Sequence, residues 1–415
     1  MIRKKFNFGL SLIIGSLILG VFSLQEINAF EIPKAFVEAL IYSFEDNKLD
    51  TLAIELALLL LLIYILAKCM QETNAIQKLI DSFRTIFFKG GILGLIPAIY
   101  GLMPVPGGAL FSAPMIDKEG NKFNLENNQK NFLNVWWRHI WFPIFPISSA
   151  MMTICSIEFS NIDIYDLIIA DIPAFIAFFI IGFIFLRFFI KKIPKLKTSP
   201  KKDYTGLIFL LPPLIPILIY ILIFLILFLN GTSEILKDYQ IKIFIIGVVL
   251  SIFFLFYLIK NTKKEFIQII KRSISFNLIL AIFGILIFRE MIEVSNANII
   301  LANLINQLLI PPLLIIIIIP LILGLITGYN LGAVLLSYFL VEPFFNETGL
   351  NIIGLTSIIF ISSLVGYLIS PIHLCNVVSS DYLKTDTTRM YKMYIPAIIT
   401  LLLIQTTFVF IFFRV

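Results

Sequence analysis

Two stretches of this 415-residue chain carry residue types that can hold a small ion or anion inside an apolar protein. The first is Gly101–Ala109, with Pro104, Pro106, Gly107 and Gly108 in its middle. Proline removes backbone donors and clashes with the preceding turn, while paired glycines permit positive φ and close approach. In lipid such broken backbone survives only where protein buries it or where it lines a watery cavity. The stretch therefore predicts the tip of a re-entrant hairpin and half of a binding site. The second is Gly324–Ala333, whose Thr327, Gly328, Asn330 and Gly332 interrupt an apolar run. A threonine hydroxyl and an asparagine amide suit Na⁺ or a substrate oxygen; they also suit the hairpin's own freed backbone groups. The glycines read either as ligand-lining or as close helix packing, and their proline and polar neighbours favour the former.

Two further polar sets follow prolines. Ser148 and Ser149 come after Pro146, while Ser370, His373 and Asn376 surround Pro371. An imidazole at membrane depth is costly without a partner or water. His373 is therefore a candidate proton relay or substrate contact, with a structural hydrogen bond to a freed carbonyl as the alternative. His373 and Cys375 by themselves do not make a metal site, and no cofactor motif is present. Arg138 and His139 lie about a turn and a half inside a span that starts near Phe132. Arg138 can neutralise a carboxylate bidentately. It also reads as snorkelling to the inner headgroups, with Trp136, Trp137 and Trp141 as an interfacial belt. Glu55 and Asp171 are isolated acids near predicted outer ends, placed either to carry a proton or to sit in water.

These residues must be positioned by membrane-spanning helices. The chain is 59% hydrophobic and 14% charged, with a mean hydropathy of +0.98. Uncharged runs such as Thr205–Leu229 reach the length of about 20 residues that crosses a bilayer. The class is thus an all-α polytopic membrane protein. The net charge of +6 is no nucleic-acid signal, because Lys and Arg gather in short loops in the positive-inside pattern. Cys69, Cys155 and Cys375 are far apart, so no disulfide framework or zinc motif is suggested.

Arg3, Lys4 and Lys5 precede an apolar run over Phe8–Leu24, which reads as an uncleaved first span rather than a signal peptide. Further spans are expected near Thr51–Ala67, Phe132–Ile157, Tyr165–Phe189, Thr205–Leu229, Ile241–Leu258, Ile274–Glu290, Ile352–Leu374 and Tyr391–Phe413. Hairpins fall at Ile86–Ile116 and Leu313–Phe344, and Asp117–Lys130 reads as a loop. The basic stretch Lys191–Lys202 fixes the cytoplasmic side and puts the N-terminus inside, giving nine crossings and two hairpins in a cell membrane.

The chain also repeats itself. Pro97 and Pro320, Gly101 and Gly324, and Pro173 and Pro396 are each 223 positions apart. Lys68, Met70 and Glu72 stand 221 positions before Arg289, Met291 and Glu293, and Pro146 stands 225 before Pro371. Charge counting orients the two copies oppositely. The expected organisation is an N-terminal span and external segment (1–50), repeat 1 (51–190), a basic linker with two spans (191–273) and repeat 2 (274–415). Inverted repeats with discontinuous helices meeting near the midplane are typical of secondary transporters.

The segments Met103–Pro114, Trp136–Trp141 and Ser370–Cys375 resemble a membrane family known only as domain of unknown function 401. That family is placed near the gluconate permeases in the ion-transporter superfamily. The resemblance runs from about residue 50 onward and implies a two-repeat transporter fold with two hairpins; it supplies no substrate.

No HExxH, GxSxG or GxxxxGK[ST] pattern is present, so the chain is not expected to be an enzyme. An intramembrane Ser/His enzyme or a channel stands as a distant alternative. Among transporters, the hairpin breaks bear no carboxylate and half-helix N-termini attract anions. The expectation is a symporter of a small carboxylate or sugar acid with H⁺ or Na⁺, with a cation/proton antiporter as the alternative. Its partners are then the anion, the coupling cation and the bilayer, with no nucleic acid. Transporters of this architecture are often dimers, and whether this chain forms a homodimer is left open.

Overall fold

The computed structural model describes residues 7–44, 47–86, 90–102, 108–191, 202–232, 235–259, 263–385 and 387–415. Helix dominates, as it must where lipid offers no hydrogen-bond partner to the backbone. α1 (Phe8–Phe22) and α2 (Glu31–Glu38) precede a short antiparallel hairpin of β1 (Tyr42–Ser43) and β2 (Lys48–Leu49). Then come α3 (Leu52–Glu72), α4 (Ala75–Ile86), α5 (Ile92–Gly101), α6 (Ala109–Lys122), α7 (Asn127–Arg138), α8 (Ser149–Ile154) and α9 (Ile164–Phe189). Two connecting helices, α10 (Leu211–Leu229) and α11 (Leu236–Leu258), are followed by the amphipathic α12 (Lys263–Ser273). The last part holds α13 (Phe276–Val294), α14 (Ala297–Asn306), α15 (Pro312–Thr327), α16 (Asn330–Val341), α17 (Ile352–Ile369), α18 (Leu374–Leu383) and α19 (Thr387–Phe412).

Among the described residues, seven helices are long and apolar enough to cross a membrane. Two of the nine expected crossings are absent from that set. α1 has only 15 residues. The stretch 132–157 is not one span but the end of α7, an irregular stretch and the six-residue α8. Pro143 and Pro146 explain the interruption, since neither can donate to a helical carbonyl.

The expected loop at 117–130 is also mostly helix. α6 runs on to Lys122, and α7 starts five residues before the anticipated span with a capping box between Glu126 and Gln129. The polarity there serves the interior. Lys130 is buried, and its Nζ donates to Asp117 at 2.8 Å, Asn121 at 2.5 Å and Asn127 at 3.2 Å.

Burial sorts the spans into centre and edge. In the span comprising α17 and α18, 78% of the apolar window is inside the protein, against 22% for the span containing α10. α17 is therefore the central post and α10 turns most of its surface to the apolar surroundings. The post is gripped backbone to backbone: a Cβ on Gly324 of α15 would stand 2.4 Å from the Ser363 carbonyl oxygen, and one on Gly366 2.0 Å from that of Leu321. α5 meets the end of α7 in the same manner, a Cβ on Gly101 standing 2.1 Å from the Arg138 carbonyl oxygen.

Candidate functional site

The site grows from places where helices stop inside the protein. α5 ends at Gly101 and α6 begins at Ala109, and α7 ends at Arg138 with His139 as its cap. In the second part α15 ends on Gly328, whose φ of +57° is the left-handed cap that glycine adopts without strain. α16 starts again at Asn330, and α17 gives way at Ser370 to α18, which starts after His373. Each stop leaves backbone groups and polar side chains deep in an apolar interior, where they need partners or a ligand.

Around these stops lies a group of the buried Arg138, His139, His373 and Cys375 with the half-buried Tyr367. The His139 and His373 rings meet edge to face at 4.9 Å between centroids, and Tyr367 lies 3.9 Å from the His373 ring. The His139 Nδ1 is 2.7 Å from the Val135 carbonyl oxygen, which can only accept, so that nitrogen carries a proton. Its Nε2 faces the Tyr367 hydroxyl at 3.4 Å. One ring nitrogen of each histidine and the Cys375 sulfur lie within 4.8 Å of one another. His373 is fully buried, and neither of its ring nitrogens has a hydrogen-bond partner.

Arg138 supplies the charge. Its Nη1 donates to the Tyr100 carbonyl oxygen at 2.9 Å, and its Nη2 fills the space where a Cβ on Gly108 would sit, 2.1 Å away. Only 4% of the residue is exposed, so it does not snorkel. The tryptophans are no interfacial belt either. Trp136 is fully buried and donates to the Phe178 carbonyl at 3.0 Å; Trp141 donates to that of Ala98 at 2.9 Å. The motif is an interior one because α7 packs between α5, α6, α9 and α18.

The remaining candidates divide. Asn330 is 6% exposed, and both ends of its amide lack partners; the Asn376 carbonyl oxygen lacks one too. Thr327 and Ser370 do structural work, donating to the Leu323 and Leu325 carbonyls at 2.7 Å and 2.6 Å. Ser148 caps α8 by accepting from the Met151 amide, and Ser149 is the half-buried first residue of that helix. No hydrogen bond joins Ser148 to His373 among the described residues; His139 stands opposite His373 instead. Gly332 gives way to Phe8, which a Cβ would meet at 2.4 Å, and Gly328 lies against Ile372 and the His373 amide. Pro104, Pro106 and Gly107 lie outside the described residues.

Several polar residues escaped the sequence reading. Asn134 accepts from Ser112 at 2.6 Å and donates to Ser379 at 2.8 Å; Asn131 donates to Ser380 at 2.8 Å. With Arg138 they form an i, i+3, i+7 stripe along α7, a periodicity visible in the sequence. Asp171 is not wet, as its position near a span end suggested, but fully buried. It accepts from Ser357 at 2.6 Å, Gln405 spans Ser357 and the Ala170 carbonyl, and the second carboxyl oxygen has no partner. Glu55, by contrast, keeps some exposure and pairs with Lys242 at 3.6 Å.

No curated protein matches the chain. The family described as protein of unknown function (DUF401) matches residues 1–411, essentially the whole sequence, and the chain belongs to that family.

Proposed function

We propose that this membrane protein is a secondary transporter that moves a small organic anion, a carboxylate or sugar acid, by alternating access. The observation that carries this reading is the set of buried, unpartnered polar groups at the helix stops, Asn330, His373 and Asn376, in an interior that also holds Arg138. Buried polar groups in native proteins are nearly always satisfied, so a constellation left open is one shaped for a visitor. A guanidinium and neutral donors suit a carboxylate.

The element order supports a repeat. The series α3, α4, α5, α6, α7, α8, α9 has its counterpart in α13, α14, α15, α16, α17, α18, α19, with each second member starting 220–225 positions after the first. Gly101 and Gly324 make the same kind of backbone contact, α5 on α7 and α15 on α17. Opposite loop charges around the copies make the repeats inverted and the stops between α5 and α6 and between α15 and α16 re-entrant. Two half-equivalent copies can exchange conformations and so open one site to each side in turn. A kinship with the gluconate permeases of the ion-transporter superfamily agrees with this arrangement.

Asp171 favours the proton as coupling ion. Ionisable residues inside spans commonly mark proton relays, and the hydrogen-bond partners of the Asp171 carboxylate among the described residues, Ser357 and Gln405, are neutral. It sits ten residues along α17 from Tyr367, measured at Ser357, or about 15 Å at 1.5 Å per residue. The same residue keeps a cation/proton antiporter as the second reading. Proteoliposomes holding the purified chain and an imposed proton gradient separate the two. Concentrative uptake of a labelled carboxylate that collapses with the gradient supports symport, and Asp171→Asn should leave only downhill flux. Proton efflux driven by external cations with no anion uptake would replace symport with antiport, and no movement of either would remove the transporter reading.

A further inference from the structure

We infer that His139, His373 and Cys375 form a binding site for a single soft or borderline transition-metal ion of the Zn²⁺ or Cu⁺ class. The three donors come from two distant parts of the chain, the end of α7 and the start of α18, and all three residues are buried. A random cluster of buried polar groups would be expected to satisfy itself by hydrogen bonds. Here both nitrogens of the fully buried His373 ring are without a partner.

The surroundings have the form that a metal site needs. A ligating imidazole commonly donates its other N–H to a backbone carbonyl, which fixes the tautomer. The His139 Nδ1 does this with Val135 at 2.7 Å, leaving Nε2 as the lone pair that can bind. Donors around a tetrahedral ion, at about 2.0–2.3 Å from it, stand roughly 3.3–3.6 Å from one another. The three donor atoms lie within 4.8 Å already, so side-chain rotations of about an ångström close the shell. Three protein ligands leave a fourth position open for water or a small ligand.

The donor set also selects the ion. One thiolate and two imidazoles favour Zn²⁺ or Cu⁺ over Mg²⁺ or Ca²⁺, which require oxygen ligands. Arg138, next to His139 in sequence, opposes any cation whose ligands bring no negative charge. Cys375 brings one: as the metal–sulfur bond forms, the thiol gives up its proton to solvent. The inference shares the open His373 ring with the anion-transport reading, but its test reads equilibrium binding and not flux, so the two can fail separately.

Cobalt(II) tests it on the full-length protein, purified in detergent under reductant. Wild type and the Cys69→Ser/Cys155→Ser double variant should each bind one Co²⁺ per chain with a thiolate-to-cobalt charge-transfer band in the near ultraviolet, displaced by Zn²⁺. Cys375→Ser should lose that band. His139→Asn and His373→Asn keep the thiol and should weaken Co²⁺ binding by about tenfold or more. These two also serve if Cys375→Ser fails to remain monodisperse. No band in reduced wild type, a band that survives Cys375→Ser, or unchanged affinity in both histidine variants would overturn the site.

Discussion

In the first half of the chain, the space beside the α5–α6 junction is taken up by a charge. The Arg138 guanidinium occupies the place that the missing Gly108 side chain leaves, and it is anchored on the Tyr100 carbonyl. In the second half, the junction between α15 and α16 presents Asn330, with Asn376 and His373 further on, and these have unfilled hydrogen-bonding capacity. One junction is thus charged and the other neutral. The difference teaches that similar helix breaks position groups, while the residues beside each break decide its electrostatic character. Burial makes both choices expensive, since an uncompensated polar group costs on the order of 1–3 kcal/mol inside a protein.

The largest test asks whether both halves depend equally on their backbone contacts. Gly101→Val and Gly324→Val each drive a side chain into a carbonyl 2.1 Å and 2.4 Å away. Each should lower stability by about 3 kcal/mol or more, seen as a collapsed melting transition in detergent. A wild-type melt in either one alone would mean that the halves do not grip alike. The next test removes the charged character of the first half. Arg138→Lys keeps the charge but loses the planar fork and should weaken carboxylate binding by roughly tenfold to a hundredfold, and Gly108→Val, which evicts the guanidinium, should match it. Isothermal titration with carboxylates reads both; equal affinity in Arg138→Lys would move the anion contact elsewhere.

A smaller effect is expected on the second side. His373→Gln retains a donor but removes the imidazole, so uptake should fall severalfold. Wild-type uptake would make His373 structural and leave Asn330 and Asn376 as the open groups. The smallest effect belongs to Ser148→Ala. Loss of the α8 cap should cost about 1 kcal/mol, with uptake unchanged. A strong uptake defect without a stability change would return Ser148 to the site.

The helical membrane class was legible because apolar length is a one-dimensional property. Thr205–Leu229 and Ile164–Phe189 match their expected bounds to within a residue. The helix stops at Gly328 and Pro371 could likewise be read, since glycine and proline act on the backbone they occupy. What escaped depended on packing between distant segments. The approach of His139 to His373 joins residues whose separation in the sequence gives no signal. An interfacial reading of Trp136 and Arg138 stands beside the anion-contact reading of Arg138 because tryptophan and arginine usually do lie at interfaces. Only the position of α7 within the bundle makes them interior. The distance of Asp171 along its span leaves a proton carrier and a wet acid as alternatives, whereas Ser357 and Gln405 from other helices decide its surroundings.

The N-terminal helix has a consequence for how the protein is made. α1 is locked to α13 at a glycine crossing, where a Cβ on Gly9 would strike the Leu280 carbonyl oxygen at 1.9 Å and one on Gly284 would strike that of Gly9 at 2.4 Å. Asn7 also donates to Asn277 at 2.8 Å, across 270 residues of sequence. At synthesis rates of about 5–20 residues per second, α1 leaves the ribosome roughly 15–55 s before its mate. Until then its glycine face is open to lipid or to any insertion factor in the membrane. Placing α1 against α13 makes the synthesis of α13 the event that first covers the glycine face of α1.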